Sequence, residues 1–211
     1  MKKILLSLLV ILTGVYSARA QTEEFGVWFE LELTKTFLKK FEISFIPDVR
    51  LQDDFTVDKY QFDGKLAYEP IKYLEFAAAY RVKTNVKTKE NVVTQRLILD
   101  ATAKMDIGRF KPSFRTRYVT YENEDDEDVK IIRPRLKVVY DIKGNKFAPY
   151  TSYELYQDLV NNELKKGRFD VGFRRKMGKL HRIGVYYRLQ HYYAEDRNSI
   201  NILGIDYRFK I

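Results

Sequence analysis

The chain contains no cysteine, two histidines and one tryptophan among its 211 residues. Without cysteine there is no disulfide and no thiolate metal site. His181 and His191 are the only imidazoles, which leaves little room for histidine-based chemistry. Long apolar runs are scarce as well. Beyond residue 20 none approaches the roughly 20 residues that a membrane-crossing helix needs. If this chain enters a membrane, it must do so with strands. Glycine-rich phosphate loops, zinc-ligand spacings and nucleic-acid motifs are also missing. No catalytic residue, cofactor, metal or nucleic-acid partner is therefore assigned.

The first twenty residues read as a leader. Lys2 and Lys3 form a basic start, Ile4 to Val15 is mostly apolar, and Ala18-Arg19-Ala20 is a small-x-small cleavage site. This pattern predicts a secretory signal peptide cut after Ala20. Its apolar run is too short to anchor the chain across a bilayer, and no cysteine follows that could carry a lipid. Residues 21–211 then form one domain of about 191 residues. Loss of Lys2, Lys3 and Arg19 takes the formal charge from +9 to about +6, a weak pointer to any partner.

What the chain does have is aromatic and charged residues in alternation, with 14 Phe and 16 Tyr. The period is two, not 3.6. Phe25, Val27, Phe29, Leu31 and Leu33 alternate with Gly26, Trp28, Glu30, Glu32 and Thr34. The same alternation recurs in about eleven stretches, down to the closing "GIDYRFKI" at 204–211. Most are about ten residues or longer, against about five or six for an ordinary globular strand. A tilted membrane crossing needs ~9–11. Pro47 falls on the oily face, where it is expected to interrupt the ladder.

The connections alternate too. Tight turns fall near 69–72, 106–109, 143–146 and 177–180, and longer polar loops near 52–57, 84–91, 122–128, 158–166 and 194–199. Short turns at one end and long loops at the other is the layout of an outer-membrane barrel. "ENEDDED" at 122–128 reads as a solvated loop, with a divalent-cation site as the sharper alternative. Tyr68, Tyr80, Tyr118, Tyr140, Tyr153, Tyr187 and Tyr193 suit an interfacial girdle. A secreted β-sandwich would alternate in the same way, but strand length, loop asymmetry and the tyrosines favour the barrel. The expected fold is all-β, an antiparallel up-and-down transmembrane β-barrel of about 10 to 12 strands. Bacterial barrels carry even strand numbers, so about ten is favoured.

The Trp28 start, "KKFEISFIPDVRLQDD" at 39–54, "KFAPYTSYELYQD" at 146–158 and the run from "FDVGFRRKMGKLHRIGVYYRLQHYY" to the end resemble the domain of unknown function 2490 family. The resemblance spans nearly all of the chain after the leader. It implies an outer-membrane barrel of the kind common in Bacteroidetes-like bacteria, and it brings no functional residue with it.

If the oily face meets lipid, the other face fills a narrow lumen. Early strands place Glu30, Glu32, Glu42, Asp48, Asp63 and Glu75 inside. Later strands place Arg115, Arg117, Arg133, Arg135, Arg174, Arg182, Arg188 and Arg208 there, so closure is expected to set an acidic wall across from an arginine wall. The favoured reading is a plugged lumen with a structural or interaction role, because a small barrel is filled by its own side chains and desolvated charges must be paired. A narrow anion-leaning pore is the alternative. A lipid-modifying enzyme is the third reading. His181 and His191 share the parity of Ile183 and Val185 and so face lipid, with Ser199, Glu195 and Asp196 near His191. An interfacial polar aromatic explains His191 more simply, because a nucleophile–base pair must lie in hydrogen-bond reach. The last strand reads as an assembly signal, Tyr207, Phe209 and Ile211 outward and Asp206, Arg208 and Lys210 inward. The partners this implies are outer-membrane lipid and the barrel assembly machinery.

Overall fold

The computed structural model describes residues 24–88, 90–123, 126–193 and 198–211, with side chains undescribed at 122–128. The expected leader at 1–20 lies outside these residues. Every regular element among them is a strand: β1 (Glu24–Phe37), β2 (Phe41–Leu51), β3 (Val57–Ile71), β4 (Leu74–Asn85), β5 (Val92–Lys104), β6 (Phe110–Asn123), β7 (Asp126–Tyr140), β8 (Phe147–Asp158), β9 (Leu164–Met177), β10 (His181–Tyr192) and β11 (Ile200–Lys210). Each strand pairs antiparallel with the next, and β1 pairs with β11 to close a barrel.

Eleven strands fall inside the expected range but not on the favoured even number. The even count presumes that the last strand returns antiparallel to the first. Here β1 and β11 both run from the long-loop end to the short-turn end. The seam is therefore parallel, with Glu24 opposite Ile200 and Thr34 opposite Lys210. The stretches around Phe25–Thr34 and Phe37–Leu51 are both full wall strands.

The strands also run further than the periodicity suggested. β6 and β7 continue to Asn123 and Asp126, which pair across the hairpin tip, so much of the acidic 122–128 stretch is strand rather than loop. Pro47 interrupts pairing on one side only. It stays in register with Phe62 of β3, while the β1–β2 ladder skips Leu31 and Glu32 against Ile46 and Pro47. Pro134 coincides with a similar gap between β7 and β8. Proline has no N–H to give to a ladder.

The barrel is apolar outside and charged inside. Phe45, Phe114, Leu136 and Phe173 are about half exposed on the outer wall, at 48%, 49%, 54% and 47%. The inner wall holds few buried apolar side chains: Ala79, Ile98 and Val119 pack together across β4, β5 and β6, and Ile202 is fully buried on β11. Tyr186 also points inward, and its ring fits only because Gly204 and Gly172 flank it. Both are its register partners on the neighbouring strands. A Cβ at Gly204 would lie 2.0 Å from the tyrosine ring, and one at Gly172 would lie 2.7 Å from the Tyr186 Cβ. Glycine marks such close approaches within strands.

Candidate functional site

The site is the lumen, and strand alternation builds it. Every second residue of a strand points inward, so a strand such as Arg-x-Arg-x-Lys in β7 delivers Arg133, Arg135 and Lys137 to one surface. Between β3 and β6 two arginine–aspartate pairs meet as direct cross-strand neighbours. Arg81 grips Asp63 with two bonds of 2.7 and 2.6 Å, and Arg117 grips Asp100 with two bonds of 2.7 Å. These residues sit opposite one another in register. On the far side Arg188 grips its register partner Asp170 at 2.6 and 2.9 Å, and the Ser152 hydroxyl donates to the same carboxylate at 3.1 Å. Forked arginine–carboxylate bonds of this kind fix geometry as well as charge.

At the short-turn end paired side chains link nearby strands of the inner wall. Arg208 of β11 reaches over the seam to Glu42, and its Nε lies 3.5 Å from Glu32. Arg182 approaches the same Glu32 at 3.7 Å, and Arg174 approaches Asp206 at 3.7 Å. Lys104 bridges Glu69 and Glu75 at 2.7 Å each. Buried Thr34 and Ser44 share a hydroxyl hydrogen bond of 3.0 Å.

The long-loop half is different. A cavity of about 840 Å³ runs from Gln52, Asp53 and Asp58 at the rim inward to Glu32, Lys65 and Arg174. Basic residues outnumber acidic ones on its wall. Glu30 exposes its carboxylate to it, and Asp48 binds Arg50 at 2.8 Å. Two rings gather cations here. Trp28 carries Arg50 at 3.8 Å and Arg168 and Arg188 at 5.0 Å from its centroid. Tyr156 carries Arg133 at 4.2 Å and Lys166 and Arg168 at 4.7 Å.

The arginines and acids picked out by alternation thus share one lumen, but they are not arranged as two facing walls. Asp63 and Asp100 bind arginines on adjacent strands. Glu154, which alternation had marked only as polar, takes Arg115 and, at 2.8 Å, Arg133. Arg135 lines the cavity without binding Glu154, its direct neighbour on β8. Among the described residues no group of three or more His, Asp or Glu is placed to hold a metal ion.

Both histidines lie on the outer wall. His181 Nδ1 is 2.6 Å from the Tyr207 hydroxyl, and its ring stacks on Phe209 at 4.9 Å. It thereby joins two of the residues read as the assembly signal. Ile211 donates its backbone N–H to Thr34 at 2.7 Å. His191 Nδ1 lies 3.0 Å from the Ser199 hydroxyl at the long-loop end, so this pair does lie in the hydrogen-bond reach that the enzyme reading requires. Glu195 and Asp196, the nearby acids in sequence, lie outside the described residues.

A family model described as "Protein of unknown function (DUF2490)" matches residues 25–201. The chain belongs to the DUF2490 family. No curated protein matches it. In this DUF2490 barrel, sequence reasoning missed the two ring platforms. The signal was present: Trp28 shares parity with Glu30, and Tyr156 with Glu154, so both rings had to point inward among the cations.

Proposed function

We propose that this DUF2490 protein is exported and resides in the outer membrane, with its short turns toward the periplasm and its lumen closed to ion flow. The observation that carries this reading is the inversion of the barrel. Large apolar side chains stay exposed around the outer wall while the charges are sequestered within. In water such a surface would be an association site far larger than a soluble monomer usually shows. The leader-like start and the turn asymmetry support the same reading. Closure rests on the ion pairs gathered in the short-turn half of the lumen, where Glu42, Arg182, Asp206 and Arg208 lie outside the lining of the long-loop cavity. The role is structural or interactive.

Fractionation and conductance test the two parts separately. The mature protein is expected in the outer-membrane fraction, and recovery in soluble periplasm without detergent overturns the location. Refolded protein in a planar bilayer is expected to give no current above background; stepwise conductance would replace the closed barrel with the anion-leaning pore. Phe209→Asp is expected to leave export intact and abolish membrane insertion, because it places a carboxylate on the outer wall of the last strand and ends the stack on His181. Normal insertion of that variant would remove the assembly role of Phe209.

A further inference from the structure

The lumen opposes like charges where a ladder ordinarily avoids them. Arg115 lies directly opposite Arg135, and Arg117 opposite Arg133, along the β6–β7 hairpin. Directly opposed like charges destabilise a sheet. The crowding continues onto β9. Across β8, Arg135, Glu154 and Arg168 are successive register partners, and Lys166 lies opposite Tyr156 one step nearer the loops. One wall therefore presents Arg133, Arg135, Lys166 and Arg168 around Glu154, the next inward carboxylate, Asp170, being held by Arg188. Glu154 is already taken by Arg115 and Arg133.

The remaining cations have no carboxylate among the described residues. Arg168 donates to the Gln190 side chain at 2.7 Å and rests on Trp28 and Tyr156. Among the described residues Lys166 rests on the rings of Tyr156 and Tyr192. Arg135 has a buried Nε without a hydrogen-bond partner. A ring face holds a cation in place but uses none of its N–H donors. Guanidinium forks and an ammonium, lining one cavity and short of acceptors, are the donor set that phosphate oxygens satisfy. The adjoining cavity of about 840 Å³ falls within the range of small-ligand sites.

We propose that the β7–β9 wall of the lumen is a binding site for a small multivalent oxyanion of the phosphate class, held by Arg135, Lys166 and Arg168. Glu154 is its built-in competitor, a fixed carboxylate occupying part of the same field. The inference goes beyond the closed-barrel reading and rests on it only for the site being blind at its inner end.

The test uses the full mature chain refolded in neutral detergent, titrated with inorganic pyrophosphate at constant ionic strength. Calorimetry gives the affinity and thermal unfolding the linked stabilisation. Pyrophosphate is expected to raise the unfolding midpoint of the wild type. Lys166→Gln combined with Arg168→Gln is expected to weaken binding at least tenfold, and Glu154→Gln to tighten it severalfold. The opposite directions separate a site from general attraction to a basic protein. Lys166→Gln alone serves if the double variant does not fold, because Lys166 leaves no hydrogen bond behind, and it is expected to weaken binding severalfold. No stabilisation of the wild type, or equal affinity in the variants, overturns the site. Binding together with stepwise conductance supports the site and overturns only the closed lumen.

Discussion

The β3–β6 wall and the β7–β9 wall are built from the same residue types and the same alternation, yet they handle charge differently. On the first, register sets Arg81 opposite Asp63 and Arg117 opposite Asp100 in forked pairs, and leaves Arg96, opposite Arg81, to the ring of Tyr121. On the second, register sets Arg135 and Arg168 on either side of one glutamate, and rings take the surplus. Composition does not distinguish the two walls. A two-residue slip of one strand would break these pairs, because it keeps every side chain on its face while changing its opposite number. Pairing in the lumen is a property of register.

The sharpest way to break the contrast is to remove an acid from the paired wall. Asp100→Asn strands Arg117 directly opposite Arg133 with its fork unfilled. The Arg117 and Asp100 side chains are largely buried, at 15% and 8% exposed. Breaking such a pair from one side costs about 3–5 kcal/mol. Denaturant unfolding in detergent is expected to show that loss, and adding Arg117→Gln to the same chain is expected to recover most of it. A double variant no more stable than Asp100→Asn would mean that the stranded cation is not the cause.

The same operation on the second wall is expected to do little. Lys166→Gln removes ring contacts of about 0.5–1 kcal/mol but also relieves repulsion from Arg168 and Arg133. The net change is expected to stay within about 0.5 kcal/mol. A loss as large as that of Asp100→Asn would make Lys166 a structural member of the wall, and the two walls would no longer differ in kind.

Much of this architecture was legible in the chain. Period-two alternation assigned faces along nearly the whole length, and turn chemistry separated the two ends. Within a hairpin even the pairs were within reach: the tight turn after Met177 fixes the register that brings Asp170 to Arg188. Closure was not legible. The Arg208–Glu42 bond joins β11 to β2 across β1, and nothing local specifies it. The favoured even strand number carried an assumption about the direction of the seam. The β7–β9 wall was hidden for a related reason. Its character depends on three strands in register at once, with the Pro134 gap lying between Arg133 and Tyr156.

A third setting, outside the lumen, isolates desolvation from pairing. Lys72 and Asp106 meet at 2.7 Å between two short turns, with side chains 70% and 42% exposed. A hydrogen bond from Lys72, reinforced by its charge, holds the Asp106 carboxyl below its ordinary range, and the reciprocal bond raises the lysine. The carboxylate's contribution is present above the ordinary carboxylate value of about 3.9 and fades as pH falls through its lowered folded value. The lysine's contribution is present below about 10.4 and fades as pH rises through its raised folded value. Between those limits the pair contributes a constant, small amount that salt screens. Asp106→Asn is expected to leave the unfolding midpoint at neutral pH unchanged within error. If it matched Asp100→Asn instead, distance alone would set the strength of an ion pair here, and burial in the lumen would explain nothing.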